Sequence, residues 1–207
     1  MKIEDICKSI SDYIAIELNL DEDKKSVINY GIFAFIHMLI CILLVVIFGI
    51  IFNVIIEALI ISFTTSILRK SSGGVHARTP ERCAVIGTIS TIIMALIAKY
   101  LYFEYSLNLL IGSIVFLYAY YIIYKLAPVD SVSKPIKNPA KRLRLKKTSI
   151  ITTSIYFIIV MINMLVYLLT KEYVLITYSM CIYMGLTWQV FSLTEKGHLI
   201  LGRLDNF

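Results

Sequence analysis

The sequence predicts an all-α integral membrane protein: a polytopic helical bundle of about six membrane spans, with an N-terminal amphipathic interfacial helix. Three observations predict it. Of the 207 residues, 58% are hydrophobic and the mean hydropathy is +0.81, far above a soluble domain. The apolar residues gather in six runs, most of them long enough to cross a bilayer as a helix. Charge is one-sided. Of the 20 lysines and arginines, 18 lie in the amino end, in loops 69–82 and 125–148 and in the tail, leaving only Lys99 and Lys171 elsewhere.

Taken in order, residues 1–26 are amphipathic. Ile3, Ile6, Ile10, Tyr13, Ile14 and Leu18 recur at helical spacing against Glu4, Asp5, Lys8, Asp12 and Glu17. The segment is too charged for a signal peptide. It reads as a helix lying on the membrane surface; a helix packed under the bundle fits equally well. The spans occupy 27–193. The first runs from Val27 to Ile50, and Gly49 and Asn53 mark a tight turn after it. The second, Val54 to Leu68, is short for a crossing and is expected to tilt or to enter only part way. The third starts at Cys83 and reaches Tyr102, the fourth covers Tyr105 to Tyr124, the fifth Ser149 to Leu169 and the sixth Tyr173 to Leu193. Residues 194–207 are a polar tail. Together these make a single membrane-embedded domain.

The charge asymmetry sets the orientation. Basic residues stay on the cytoplasmic side, so both termini and both basic loops of this multi-pass cell-membrane protein are expected there. The four cysteines, Cys7, Cys41, Cys83 and Cys181, show no framework spacing and read as free thiols, as a reducing compartment requires. Two ionisable groups, His37 and Glu57, fall within spans, where such residues are costly and often functional. Tyr118, Tyr120, Tyr121 and Tyr124 fit an interfacial aromatic belt.

The passage RKSSGGVHARTPERCAVIG, Arg69 to Gly87, is the one polar, glycine-containing stretch in the first half. Gly73 and Gly74 permit a turn with unusual dihedrals. Thr79 suits a helix N-cap, Pro80 the first helical position and Glu81 the first turn. Cys83 then falls in or just past that turn, where the helix dipole favours a thiolate and Arg78 and Arg82 add positive charge. His76 lies in the preceding loop. Backbone amides at the helix start and in the Gly-Gly turn are candidate oxyanion donors. One short passage thus offers nucleophile, base and oxyanion donors. A lone cysteine in an apolar chain is more often a small core residue, and spacing by itself is a weak signal of catalysis. No metal or cofactor is expected: one cysteine and one histidine are too few ligands, and no CxxC or HxxxH pattern supplies more. Ser90, on the same helix face as Cys83, and Asp130 are the two candidates for a third, orienting group.

The segment APVDSVSKPIKNPAKRLRLKK carries Lys134, Lys137, Lys141, Arg142, Arg144, Lys146 and Lys147 against Asp130 alone. Positive-inside topology and contact with anionic lipids account for it. A dock for an acidic peptide, centred on Lys141, Arg142, Arg144, Lys146 and Lys147, is the sharper alternative. Nucleic acid is not expected, because no aromatic platform accompanies the charge.

The combination RKSSGGVHARTPERC, followed after a tyrosine-rich span by APVDSVSKPI and a basic run, closely resembles the AgrB (accessory gene regulator B) family. The similarity covers nearly the whole chain. By motif, His76 and Cys83 match the family's catalytic pair, and Arg69, Gly73 and Gly74 its positions around them. The resemblance implies a membrane cysteine endopeptidase of quorum sensing. It would cut a short AgrD-like precursor peptide near its acidic carboxyl-terminal part and help to close a thiolactone ring. Membrane lipids and a second copy of the chain are further expected partners. A small peptide exporter and a non-enzymatic scaffold are the alternatives. An exporter calls for polar residues lining a path and for broken helices in paired positions, and the sequence shows few of these.

Overall fold

The computed structural model describes residues 3–75, 79–101, 103–130, 136 and 138–204, the side chains of 3 and 201–204 excepted. Among these residues the regular structure is entirely helical. The order is α1 (Ile3–Glu17), α2 (Glu22–Ile51), α3 (Ile55–Ser72), α4 (Pro80–Tyr100), α5 (Tyr105–Leu126), α6 (Pro139–Thr170), α7 (Val174–Phe191) and α8 (Glu195–Leu204). Five of them, α2, α4, α5, α6 and α7, are long and apolar enough to cross a membrane. The 18-residue α3 carries Glu57, Arg69 and Lys70, which makes it the short, charged member that brings the total to about six. By internal packing the chain divides into Met1–Leu44 and Val45–Phe207.

In the first unit, α1 ends at Glu17 and α2 begins at Glu22, so residues 1–26 are not one helix. Asp21 caps α2 by accepting the Lys24 N–H at 2.8 Å. Lys25 reaches Asp12 at 2.8 Å, tying α2 to α1. The buried stripe of α1 is Cys7, Ser11 and Ala15, at i, i+4 and i+8. Ile10, Tyr13, Ile16 and Leu18 are exposed, as a helix with an apolar face turned to lipid would show. His37 finds its partners on its own helix. Its ring lies 3° from parallel to Phe33, and Nε2 is 3.6 Å from Sγ of Cys41.

In the second unit the core forms around α7, which packs against α3, α4, α5 and α6. Its buried residues run from Ile176 through Met180, Tyr183 and Leu186 to Val190. The closest approach is to α3. A Cβ on Gly185 would stand 2.9 Å from Ile61 O, and Thr65 Oγ1 donates to Gly185 O at 3.2 Å. Only a residue without a side chain lets two helix backbones meet this closely. Tyr156 on α6 donates its hydroxyl hydrogen to Thr64 O at 3.0 Å. The outward faces, with Leu110, Leu117, Ile158 and Leu165, are apolar and exposed, which suits acyl chains as the neighbouring phase.

Adjacent helices run in alternate directions. The ends of α3, α5 and α7 and the starts of α4 and α6 come together, because Val129 N–H donates to Ser72 O at 2.9 Å and Val75 N–H to Ser192 O at 3.2 Å. At the opposite end, buried Glu57 faces Lys99 of α4 at 3.7 Å, and Lys99 also donates to Asn53 O. Glu57 is therefore a neutralised charge closing the α3–α4 hairpin. The segment expected as a loop over 125–148 is shorter: α6 starts at Pro139. Asn138 caps it, with Oδ1 accepting from Ala140 N–H at 2.9 Å, and Pro139 fits the first turn. The basic residues from Lys141 to Lys147 thus extend the fifth span's helix beyond the apolar part. The tail expected as polar is likewise helical from Glu195 to Leu204.

Candidate active site

The stretch between α3 and α4 is built from both ends. The last turn of α3 carries Arg69. Gly73 stops the helix with φ +71° and ψ −147°, its N–H donating to Arg69 O at 3.0 Å. Gly74 follows with φ +128°. Both conformations are open to glycine and strained for other residues. At the other end, Thr79 caps α4, accepting the Arg82 N–H on Oγ1 at 3.4 Å, and Pro80 opens the helix. Cys83 N–H donates to Thr79 O at 3.1 Å. Cys83 is therefore a first-turn residue of α4, partly exposed, and its thiol is free. His76 and Arg78 lie outside the described residues, so the distance from imidazole to thiol is not part of this geometry.

Arg69 is the cation that α3 supplies. Its Nη2 donates to Val75 O, and its Nε is enclosed with no hydrogen-bond partner among the described residues. Burial pushes the guanidinium pKa below its usual value. The sequence placed positive charge near Cys83 through its chain neighbours, yet Arg82 is exposed. The cation tied into the loop is instead Arg69, fourteen positions upstream at the end of a different helix. An arginine there stays charged at any working pH.

The Gly-Gly turn is held by partners that sequence reasoning missed. Gln189 of α7 donates through Nε2 to Gly73 O at 2.7 Å and to Ser72 Oγ at 2.9 Å. Ser192 O takes the Val75 N–H, and Gly73 pairs with Val129 in an isolated parallel bridge. Below the turn, Ser149 of α6 donates to Ser71 Oγ at 2.9 Å. Gln189, Ser192, Ser149, Ser71 and Ser72 are all buried, so a polar layer lies under the loop inside an apolar bundle. The one signal that pointed to it was a glutamine in an otherwise apolar span.

The two candidates for orienting the imidazole stand as follows. Ser90 is seven residues along α4 from Cys83, about 10 Å down the axis at the usual helical rise. Asp130 is exposed; its Oδ2 accepts the Ile136 N–H at 3.2 Å and faces Arg142 at 3.8 Å. The basic start of α6 splits into two stripes. Arg142 and Lys146 have partners within the bundle: Arg142, although exposed, donates to Pro128 O at 3.4 Å, and half-buried Lys146 sits 4.4 Å over the Tyr124 ring. Lys141, Arg144 and Lys147, three apart, form a second, exposed stripe. Among the described residues, no group of three or more His, Cys, Asp or Glu side chains is placed to hold a metal ion.

Comparison with known proteins gives a consistent picture. Residues 7–193 match the family described as accessory gene regulator B. An AgrB-like protein of Clostridium perfringens strain SM101 is 37% identical over 208 residues, covering 99% of this chain and 97% of the relative. AgrB-like protein 2 of Clostridium perfringens strain 13 is 38% identical, with the same coverage. No solved structure matches the chain at a significant level. With its several membrane-length helices and a match over nearly its whole length, this chain is a multi-pass membrane protein belonging to the AgrB family.

Proposed function

We propose that the protein is a membrane-embedded cysteine endopeptidase of quorum-sensing peptide processing. It cleaves an AgrD-like precursor through a Cys83 thioester and promotes closure of a thiolactone ring. The observation that carries this reading is the first-turn position of Cys83 on α4, partly exposed and with a free thiol. His76 takes the Cys83 proton to give the thiolate. The thiolate attacks the scissile carbonyl carbon, and the carbonyl electrons collect on oxygen. His76 then delivers a proton to the leaving amine as the C–N bond breaks. The amino part of the peptide stays on Cys83 as a thioester. A cysteine thiol within that peptide attacks the same carbonyl, forms a new thioester and returns the Cys83 thiol. Exchange of one thioester for another is nearly balanced, whereas hydrolysis runs downhill. The site must therefore exclude water and hold the internal thiol close. A loop seated at the end of an apolar bundle suits both needs.

In this reading both termini, the active loop and the start of α6 face the cytoplasm, as the charge asymmetry requires. The acidic carboxyl-terminal part of the precursor docks on the exposed Lys141, Arg144 and Lys147 stripe, while Arg142 and Lys146 are held by Pro128 and Tyr124. An amphipathic precursor leader would reach the site along the membrane surface, and two copies associate through their lipid-facing helices.

Incubation of the purified protein in lipid nanodiscs with its precursor, followed by mass spectrometry, tests the reading. A peptide adduct on Cys83 that hydroxylamine removes is the expected result; cleavage with no adduct at Cys83 would sink it. The dock has its own test. Reversing Lys141, Arg144 and Lys147 to glutamate is expected to raise the precursor KM by about tenfold or more and to leave kcat largely unchanged. An unchanged KM would assign the stripe to lipid alone.

A further inference from the structure

The Gly73–Gly74 peptide has its carbonyl and its amide on opposite sides of one plane, since the trans peptide is rigid. Gln189 holds the carbonyl: its Nε2 donates to Gly73 O at 2.7 Å. The Gly74 N–H must then point away from Gln189. The neighbouring backbone groups are committed. Gly73 N–H goes to Arg69 O, Val75 N–H to Ser192 O, and Ser72 O accepts from Val129. Val75 O accepts from Arg69 Nη2. Gly74 N–H, on a buried residue, has no hydrogen-bond partner among the described residues. The face of Gly74 turned to α7 is full, because a Cβ there would stand 2.6 Å from Ser192 Oγ. The arrangement is a spare buried donor, fixed in direction, in the loop that joins Arg69 at the end of α3 to the Cys83 turn of α4.

We infer that Gln189 is a positioning residue for an oxyanion donor: by gripping the Gly73 carbonyl it aims the Gly74 N–H at the oxygen that gains charge when Cys83 attacks its substrate. Glycine pairs make this grip necessary. A peptide between two glycines can rotate by half a turn at little steric cost, which would swap carbonyl for amide. With the carbonyl outward, the site would meet a developing oxyanion with a lone pair. The carboxamide of Gln189 selects against that state, because its –NH₂ group matches a carbonyl and opposes an N–H. Its Oε1 is buried with no partner among the described residues, where its two donor bonds orient the side chain. Fixed donors of this kind act where charge develops and need no reorganisation during the reaction.

This inference rests on the reading of Cys83 as nucleophile, and the experiment separates the two. Full-length protein in nanodiscs is compared as wild type, Gln189→Met, Gln189→Glu and Cys83→Ala. Methionine keeps the volume and removes both donor bonds. Glutamate keeps the shape, repels the Gly73 carbonyl and rewards the flipped amide. Single-turnover acylation is expected to fall about 10²-fold in Gln189→Met and further in Gln189→Glu, with precursor KM within about threefold of wild type. Affinity for a precursor-derived peptide aldehyde, which forms a tetrahedral adduct on sulfur, is expected to fall by the same factor as kcat/KM. The aldehyde titration reads only folded, binding-competent protein, so it holds even where a variant inserts less well. Acylation by Gln189→Met within about threefold of wild type, or a loss confined to KM, overturns the inference while Cys83→Ala remains inactive. Cleavage by Cys83→Ala would instead remove the nucleophile, and this inference with it.

Discussion

Cys83→Ala is expected to abolish precursor cleavage, by at least about 10⁴-fold, while the protein still inserts and folds. The two halves of this expectation have separate causes. Cys83 is the only cysteine that the fold places at a partly exposed helix start. Cys7 and Cys181 are buried, and Cys41 sits mid-helix against His37. No other thiol can take over the attack. Structurally, α4 is held through Ala84, Thr88, Thr91, Ile92 and Ala95, which are buried, whereas Cys83 lies outside the core cluster. Removing one sulfur there opens no cavity. Cys181→Ala provides the contrast: that side chain is fully enclosed on α7, so its loss costs stability of about 1 kcal/mol or more and leaves acylation of folded protein intact. Product mass spectrometry alongside detergent thermal melts reads both variants. Residual cleavage by Cys83→Ala within tenfold of wild type would reject the thioester route.

Gly73→Ala is expected to cost nearly as much activity, by a different path. The residue adopts φ +71° and ψ −147°, a region that side-chain-bearing residues enter only under strain of roughly 1–3 kcal/mol. An added Cβ would also drive into the Val129 carbonyl. The Ser72–Val129 contact must open or the turn must move, and either change displaces the Gln189 and Arg69 bonds that fix the loop. Cleavage is expected to fall by about 10²-fold or more, with the bundle's melting temperature only modestly lowered, because the strain is confined to one end. Alkylation of Cys83 by a small reagent is expected to persist, since the α4 cap from Thr79 and Pro80 does not depend on the turn. Wild-type cleavage by this variant would mean that the turn geometry is immaterial to the chemistry.

Much of this architecture was legible in the residues. The start of α4 follows from Thr79 and Pro80 alone, because capping is a local transaction among a few neighbours. The apolar runs located the spanning helices, and the shortness of the second run anticipated the charged α3. Local signals for α6 were present too, in Asn138-Pro139, but the dense positive charge read as loop where long-chain lysines and arginines are good helix formers. What could not be read was any partner brought in from far along the chain. Gln189 and Ser192 lie more than a hundred residues beyond the turn they hold, and helical periodicity says which face they occupy but not which backbone groups they meet. Arg69 was visible as a motif residue. Its bond to Val75 O, which ties the loop back to the end of α3, was not.

The dependence of the loop on α7 orders events during synthesis. A ribosome delivers residues 69–83 long before residues 189–192, and the first five apolar segments enter the bilayer without the helix that completes their polar layer. Until that final segment threads between its neighbours, Ser72 and the Gly73 carbonyl lack their glutamine, and the thiol waits beside an unfinished turn. Under the function proposed above, competence to cleave the precursor therefore arrives only when α7 is in place, and a half-made chain would present no working protease to the membrane in which it is being built.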